Sequence, residues 1–191
     1  MKKIGLTGNI GSGKTTIASL FEVLGIAVFN ADNEAKRLMS DDKILKNELI
    51  VAFGKEVFVE NKLNRKYLAD LAFSDELVLK KLNSLVHPFV QHAFDKWSDE
   101  QISPYVIKEA AILFESNNYQ SLDAIICVTC PEDIRLERLL KRDNISKKQL
   151  IQRINNQWQE EKKKSMSDYI VINDNSCLVT PQVLKIHNTL K

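Results

Sequence analysis

The stretch Gly8-Asn9-Ile10-Gly11-Ser12-Gly13-Lys14-Thr15-Thr16 limits the possible folds more than any other part of the chain. It fits the phosphate-loop pattern G-x-x-x-x-G-K-[ST] from Gly8 through Gly13 and Lys14 to Thr15. The pattern carries chemistry only between a strand and a helix, and the flanking residues predict both. Lys3-Ile4-Gly5-Leu6-Thr7 is a short, mostly apolar run suited to a buried strand, and Thr15 to Phe21 continues with helical spacing. The glycines let the backbone fold around a phosphate, and the N–H groups of the first helical turn face the anion. Gly11, Ser12, Gly13, Lys14, Thr15 and Thr16 are therefore the expected nucleotide contacts. Lys14 is expected on the β- and γ-phosphates, and the Thr15 hydroxyl on Mg²⁺. An ordinary glycine-rich turn needs none of these offsets, so the chain is expected to bind a nucleoside triphosphate.

Composition narrows the partners. The 191 residues are 44% hydrophobic and 27% charged, with a net charge of +2. That balance suits a globular core and supplies no field that demands nucleic acid or an acidic membrane. Glycines at 5 and 8 interrupt any signal-peptide apolar stretch, and no run is long enough to span a bilayer, so a cytoplasmic protein is expected. Cys127-x-x-Cys130 lacks a second pair to complete a zinc site, and Cys127 lies inside the apolar run Ala124 to Val128. Structural, reduced cysteines are expected.

Beyond the loop, the pattern predicts a helix from about Lys14 to Leu24, stopped by Gly25, then a strand at Ile26 to Phe29. Asp32 follows that strand. It can face a ligand at the carboxyl end of a parallel sheet, or it can cap the next helix; local sequence leaves both open. Residues 33–103 read as helical, with no strong strand, a cap at Ser74 and a break at Pro88. Seventy residues far exceed a normal crossover, so an insertion is expected there. Strands are expected again near 104–107, 122–128 and 168–172. A helix follows Pro131, another opens at the capping-box pattern Ser146-x-x-Gln149, and a last one begins at Thr180-Pro181. This alternation predicts an α/β fold with a five-stranded parallel sheet covered on both faces. The core is assigned to 1–32 and 104–191, with a lid around 138–150.

A phosphate loop alone serves switches, motors and kinases. No guanine signature Asn-Lys-x-Asp and no Asp-x-x-Gly switch segment accompanies it here. Arg138 and Arg142 lie four apart on one predicted helical face, where they can close over a triphosphate. That favours a small-molecule kinase.

Further residues sharpen this. Gly5 to Thr16, Ala31-Asp32, Leu63-x-Arg65-x-x-Leu68, His87-Pro88, Leu113-Phe114-Glu115, Arg138-x-x-x-Arg142-Asp143, Arg153-Ile154-x-x-Gln157 and Ile172-Asn173 occur in this order over nearly the whole chain. In these the chain resembles the dephospho-CoA kinase family. The resemblance implies a phosphate-loop NTPase-type three-layer fold and transfer of the ATP γ-phosphoryl to the ribose 3′-hydroxyl of dephospho-CoA. It implies Asp32 as the catalytic acid group that takes the hydroxyl proton, with Lys14, Arg138 and Arg142 serving the triphosphate. It further implies Asn173 at the nucleotide, and Arg65 and His87 in an acceptor-binding insertion. Asn30 departs from the family, standing where an Asp is frequent. A nucleoside or nucleotide kinase is the competing enzyme reading, and a non-catalytic ATP switch the competing class. Oligomeric state is left open.

Overall fold

The computed structural model describes residues 1–142, 150, 154 and 157–191. Within them the chain forms two compact units, residues 1–30 with 100–191, and residues 31–99.

The larger unit is built on five parallel strands: β1 (Lys2–Thr7), β2 (Ala27–Asn30), β5 (Tyr105–Glu109), β6 (Ala124–Thr129) and β7 (Tyr169–Ile172). Their order across the sheet is β2-β5-β1-β6-β7. The loop strand β1 is central, pairing with β5 from Lys2↔Tyr105 to Leu6↔Glu109 and with β6 from Ile4↔Ala124 to Thr7↔Cys127. A central parallel strand is covered on both faces, which is why β1, β5 and β6 read as apolar runs rather than alternating ones. Helices α1 (Lys14–Val23) and α8 (Val179–Leu190) pack Ile17, Phe21, Val183 and Ile186 against Ile4, Leu6, Ile107 and Val171. Each such side chain contributes about 1.5–3 kcal/mol on burial. Phe21 sits edge-on to Tyr105 at 6.5 Å, so Phe21→Ala would cost about 3–5 kcal/mol. Gly25, with φ 80, follows α1 and lets the chain turn into β2, as its sequence position suggests. Helices α6 (Glu132–Arg142) and α7 (Glu160–Ser165) complete the described part of this unit. The expected capping box at Ser146 and most of the expected lid lie outside the described residues.

The second unit gathers α2 (Ala31–Asp41), α3 (Lys43–Phe53) and α4 (Arg65–Ser74) around α5 (Glu76–Asp99). Three sequence expectations fail here. Pro88 does not end a helix but lies inside α5, a single element of 24 residues. Proline removes one backbone bond at a cost of about 3 kcal/mol. The stripe Val86, Val90 and Phe94, buried at four-residue spacing, outweighs it. Ser74 is not a cap but the last residue of α4; the Asp75 carboxylate accepts the Leu77 N–H instead. A small antiparallel hairpin, β3 (Phe58–Val59) and β4 (Lys62–Leu63), occupies a stretch expected to be helical. Asn64 caps α4, its side chain accepting the Tyr67 N–H. In the larger unit α8 begins at Val179, with Leu178 at its cap position, so Thr180 does not cap it.

Candidate active site

The site is built from the turn between β1 and α1. Gly13 occupies the cap position of α1 in the left-handed conformation (φ 92, ψ 23), and it has no side chain with which to satisfy the helix end. The first intrahelical bond runs from Ile17 N–H to Gly13 O. The N–H groups of Lys14, Thr15 and Thr16 are therefore not served within the helix. The positive end of the helix dipole coincides with them, which is the arrangement that binds phosphate. Lys14 is buried and folds its ammonium over the turn, donating to Gly8 O at 3.0 Å and Asn9 O at 3.4 Å. Thr15 and Thr16 are exposed on the first turn.

Three buried oxygens beside this turn have no hydrogen-bond partner among the described residues: Thr7 Oγ1, Asn9 Oδ1 and Ser12 Oγ. A buried polar group left unpaired costs about 1–3 kcal/mol. Three of them around one uncapped helix end mark a place shaped for a polar ligand.

The turn is backed by α6. A Cβ on Gly11 would lie 3.0 Å from Arg135 O and from Leu139, so only glycine lets this helix approach so closely. Arg135 is buried and donates from Nε to Cys130 O at 3.0 Å. Arg138 donates to Cys130 Sγ at 3.4 Å and to Asn175 Oδ1 at 2.7 Å. Asn173, just past β7, donates its amide to Ser12 O at 2.8 Å. The larger unit thus brings together Gly11 to Thr16, Arg138 and Asn173 from the sequence-derived set, with Asn173 holding the turn's backbone directly. Of Arg142 only the helical backbone, at the end of α6, is described.

Asp32, Arg65 and His87 belong to the second unit. Asp32 is exposed in the first turn of α2. The helix already begins at Ala31, so Asp32 is not at the cap position. As an N-terminal acid it can contribute only the dipole term of about 0.3–1 kcal/mol. Arg65 is the exposed first residue of α4, and His87 lies within α5.

The cysteines are free thiols. Burial pushes Cys127 up to about 11, and burial also raises Cys130 against the opposing pull of Arg138. Protonated, buried thiols of this kind pack as small apolar groups.

Sequence reasoning missed two features. Glu109, buried at the carboxyl end of β5, accepts a hydrogen bond from the Asn30 amide and lies in register with Leu6 of the loop strand. An acid terminating an apolar strand was its only local signal. The second is the contact of Gln157-Trp158 with the turn, Gln157 standing out in the sequence only as part of the family resemblance: its Oε1 accepts the Ile10 N–H at 2.8 Å, and Asn9 Nδ2 donates to Trp158 O at 3.2 Å. Partners so far apart in sequence leave no periodic trace.

Comparison with known proteins agrees with this geometry. A family model described as dephospho-CoA kinase matches residues 2–178. A dephospho-CoA kinase from Bacteroides fragilis is 37% identical over 185 residues, covering 96% of this chain and 90% of that protein. A solved structure from Thermus thermophilus superposes with a TM-score of 0.88 at 32% identity, covering 98% of this chain and 96% of that one. A dephospho-CoA kinase from Campylobacter jejuni shares the fold, with a TM-score of 0.67 at 23% identity and coverage of 100% and 98%. With its uncapped phosphate-binding turn and a match along nearly its whole length, the chain belongs to the dephospho-CoA kinase family.

Proposed function

We propose that this protein transfers the γ-phosphoryl group of ATP to the ribose 3′-hydroxyl of dephospho-CoA, giving coenzyme A and ADP. The observation that carries the reading is the uncapped start of α1, with Lys14 over it and Ser12 Oγ beside it, unpartnered among the described residues, in a chain of this family. The N–H groups of the turn hold the β- and γ-phosphates, and Lys14 exchanges its loop carbonyls for their oxygens.

The exposed Thr15 hydroxyl, in the first turn of α1, is a hard oxygen donor of the kind Mg²⁺ takes. Among the described residues no cluster of three or more acids, His or Cys could hold a metal by itself. That is the usual situation where the substrate's phosphates supply further ligands. Bound there, the ion would neutralise charge developing on the phosphate oxygens.

Asp32 orients the acceptor hydroxyl and takes its proton as the oxygen attacks the γ-phosphorus and the bond to ADP breaks. Arg138 and Arg142 balance the charge on the departing diphosphate, with Asn173 keeping the turn in shape. Arg65 and His87 bind the acceptor. Catalysis of this kind is mostly positioning and electrostatics.

An acceptor panel tests the reading. ADP should form from ATP and Mg²⁺ with dephospho-CoA, and not with nucleosides or nucleoside monophosphates. Turnover with nucleosides alone would make the protein a nucleoside kinase, and ATP binding without turnover would make it a switch.

A further inference from the structure

The turn that receives the triphosphate is gripped from outside. Ile10, inside the motif, does not aim its N–H at the phosphate position; it gives it to Gln157 Oε1 at 2.8 Å. The next residue back, Asn9, is tied through its amide to Trp158 O at 3.2 Å. Two consecutive residues of the turn are therefore clamped to two consecutive residues of another segment.

That segment is held in its turn by charge. Trp158 N–H donates to Glu115 Oε1 at 2.8 Å. The same oxygen receives the Lys163 ammonium at 2.8 Å, and Lys163 also donates to Ala111 O at 2.8 Å. The Lys163 side chain is fully buried. A buried ammonium requires its counter-charge, so Lys163 cannot leave Glu115 without stranding a charge. The Trp158 ring is fixed as well: Phe114 stacks on it at 6.2 Å and 2°, and the Lys162 ammonium lies 3.3 Å from the ring centre.

We propose that Glu115 is a positioning residue for the nucleotide, acting through Trp158 and Gln157 to hold the phosphate-binding turn in its receptive shape. The proposal rests on the reading of that turn as the ATP site. It gives Glu115 and Gln157 a task that packing alone would not: they decide which N–H groups the turn presents inward. Ile10 N–H is committed to Gln157, and Ser12 N–H to Asn9 O at 3.0 Å, so the shape of the turn is set on both sides of Gly11. Pre-setting that shape removes an ordering cost from nucleotide binding.

The test measures ATP affinity by titration calorimetry and Trp158 emission in a Trp97→Phe background, together with the melting temperature. Gln157→Ala should raise the ATP Kd about tenfold, the effect of one lost positioning hydrogen bond. It should leave dephospho-CoA affinity unchanged, and the response of Trp158 emission to ATP should shrink. The pair Glu115→Leu/Lys163→Met removes both charges together and so avoids a stranded ion. It should weaken ATP similarly, because Trp158 N–H loses its acceptor. Glu115→Gln/Lys163→Met restores an acceptor oxygen without the charge and should recover ATP affinity to within about threefold.

Wild-type protein that binds ATP, beside a Gln157→Ala variant of unchanged Kd and unchanged Trp158 response, would overturn the positioning role alone. Equal loss in the Leu and Gln pairs, tracking melting temperature, would also overturn it and make the ion pair purely structural. Failure of the wild type to bind ATP would remove the underlying site reading as well. Should the Leu pair not fold, the Gln157→Ala result decides.

Discussion

Replacing Gly13 by Ala measures what the left-handed helix cap demands of its residue. The substitution acts in two separable ways. At φ 92 and ψ 23 an L side chain is forced into the left-handed region, which costs about 1–2 kcal/mol. The added Cβ would also overlap the Asn173 amide nitrogen. That amide can move only by giving up its 2.8 Å bond to Ser12 O, worth about 0.5–1.5 kcal/mol. The sum is about 1.5–3.5 kcal/mol, or a drop of roughly 3–14 °C in melting temperature for a chain of this size. The assay is a four-protein cycle of wild type, Gly13→Ala, Asn173→Ala and the double variant, each unfolded in urea. In the Asn173→Ala background the clash and the bond are already gone, so Gly13→Ala should there cost only the backbone part. The cycle should show a coupling of about 0.5–1.5 kcal/mol. Additivity within about 0.3 kcal/mol would show that Asn173 does not brace the turn, and the reasoning would fail.

Three other outcomes follow from the site and the core. Asp32→Asn should lower the transfer rate about 10²–10⁴-fold with acceptor affinity and melting temperature little changed, as for a lost general base; a rate within a few-fold of wild type would leave Asp32 only its helix-dipole role. Arg142→Ala should reduce the rate of transfer more than it weakens dephospho-CoA binding; intact turnover with poor acceptor affinity would move Arg142 to the acceptor side. His187 is buried against Tyr105, whose hydroxyl meets Nδ1 at 2.8 Å, and burial, then Lys191, holds its pKa below 6.5. The unfolded chain then binds the proton more readily, so stability is full above about pH 6.5 and falls as pH drops below it. Melting curves from pH 8 to 5 should therefore fall less steeply for His187→Gln than for wild type; parallel curves would refute the assignment.

The phosphate-binding turn and the buried strands were legible because their constraints are local. Glycine at fixed offsets and an unbroken apolar run each follow from what the backbone must do there. What could not be read has equally specific causes. Pro88 is a breaker by intrinsic preference, and only the buried stripe of α5 overrides it. The β3–β4 hairpin turns at Glu60 and Asn61, both at positive φ. Asn at such a turn is a familiar signal, but Glu at its first position is not, and two-residue strands are too short to show alternation. Arg138 could be placed on a helical face from spacing, yet its bonds to Cys130 and Asn175 depend on how strands β6 and β7 end. The Glu115–Lys163 pair is the extreme case. Lys163 sits in a run of three lysines that reads as a solvated face, and only the tertiary fold selects the middle one for burial.

The sheet order β2-β5-β1-β6-β7 has a consequence for how the molecule is made. The strand that leads into the phosphate turn finds both neighbours late: Lys2 pairs with Tyr105, and Ile4 with Ala124. During synthesis at about 5–20 residues per second, β1 waits some 5–20 seconds for its first partner to be made. Through that interval Ile4 and Leu6, fully buried in the finished protein, have no sheet to enter. The turn cannot acquire its shape on the ribosome until β5 and β6 have emerged. ATP is therefore expected to bind only after most of the chain exists, and to stabilise a late step of folding rather than an early one.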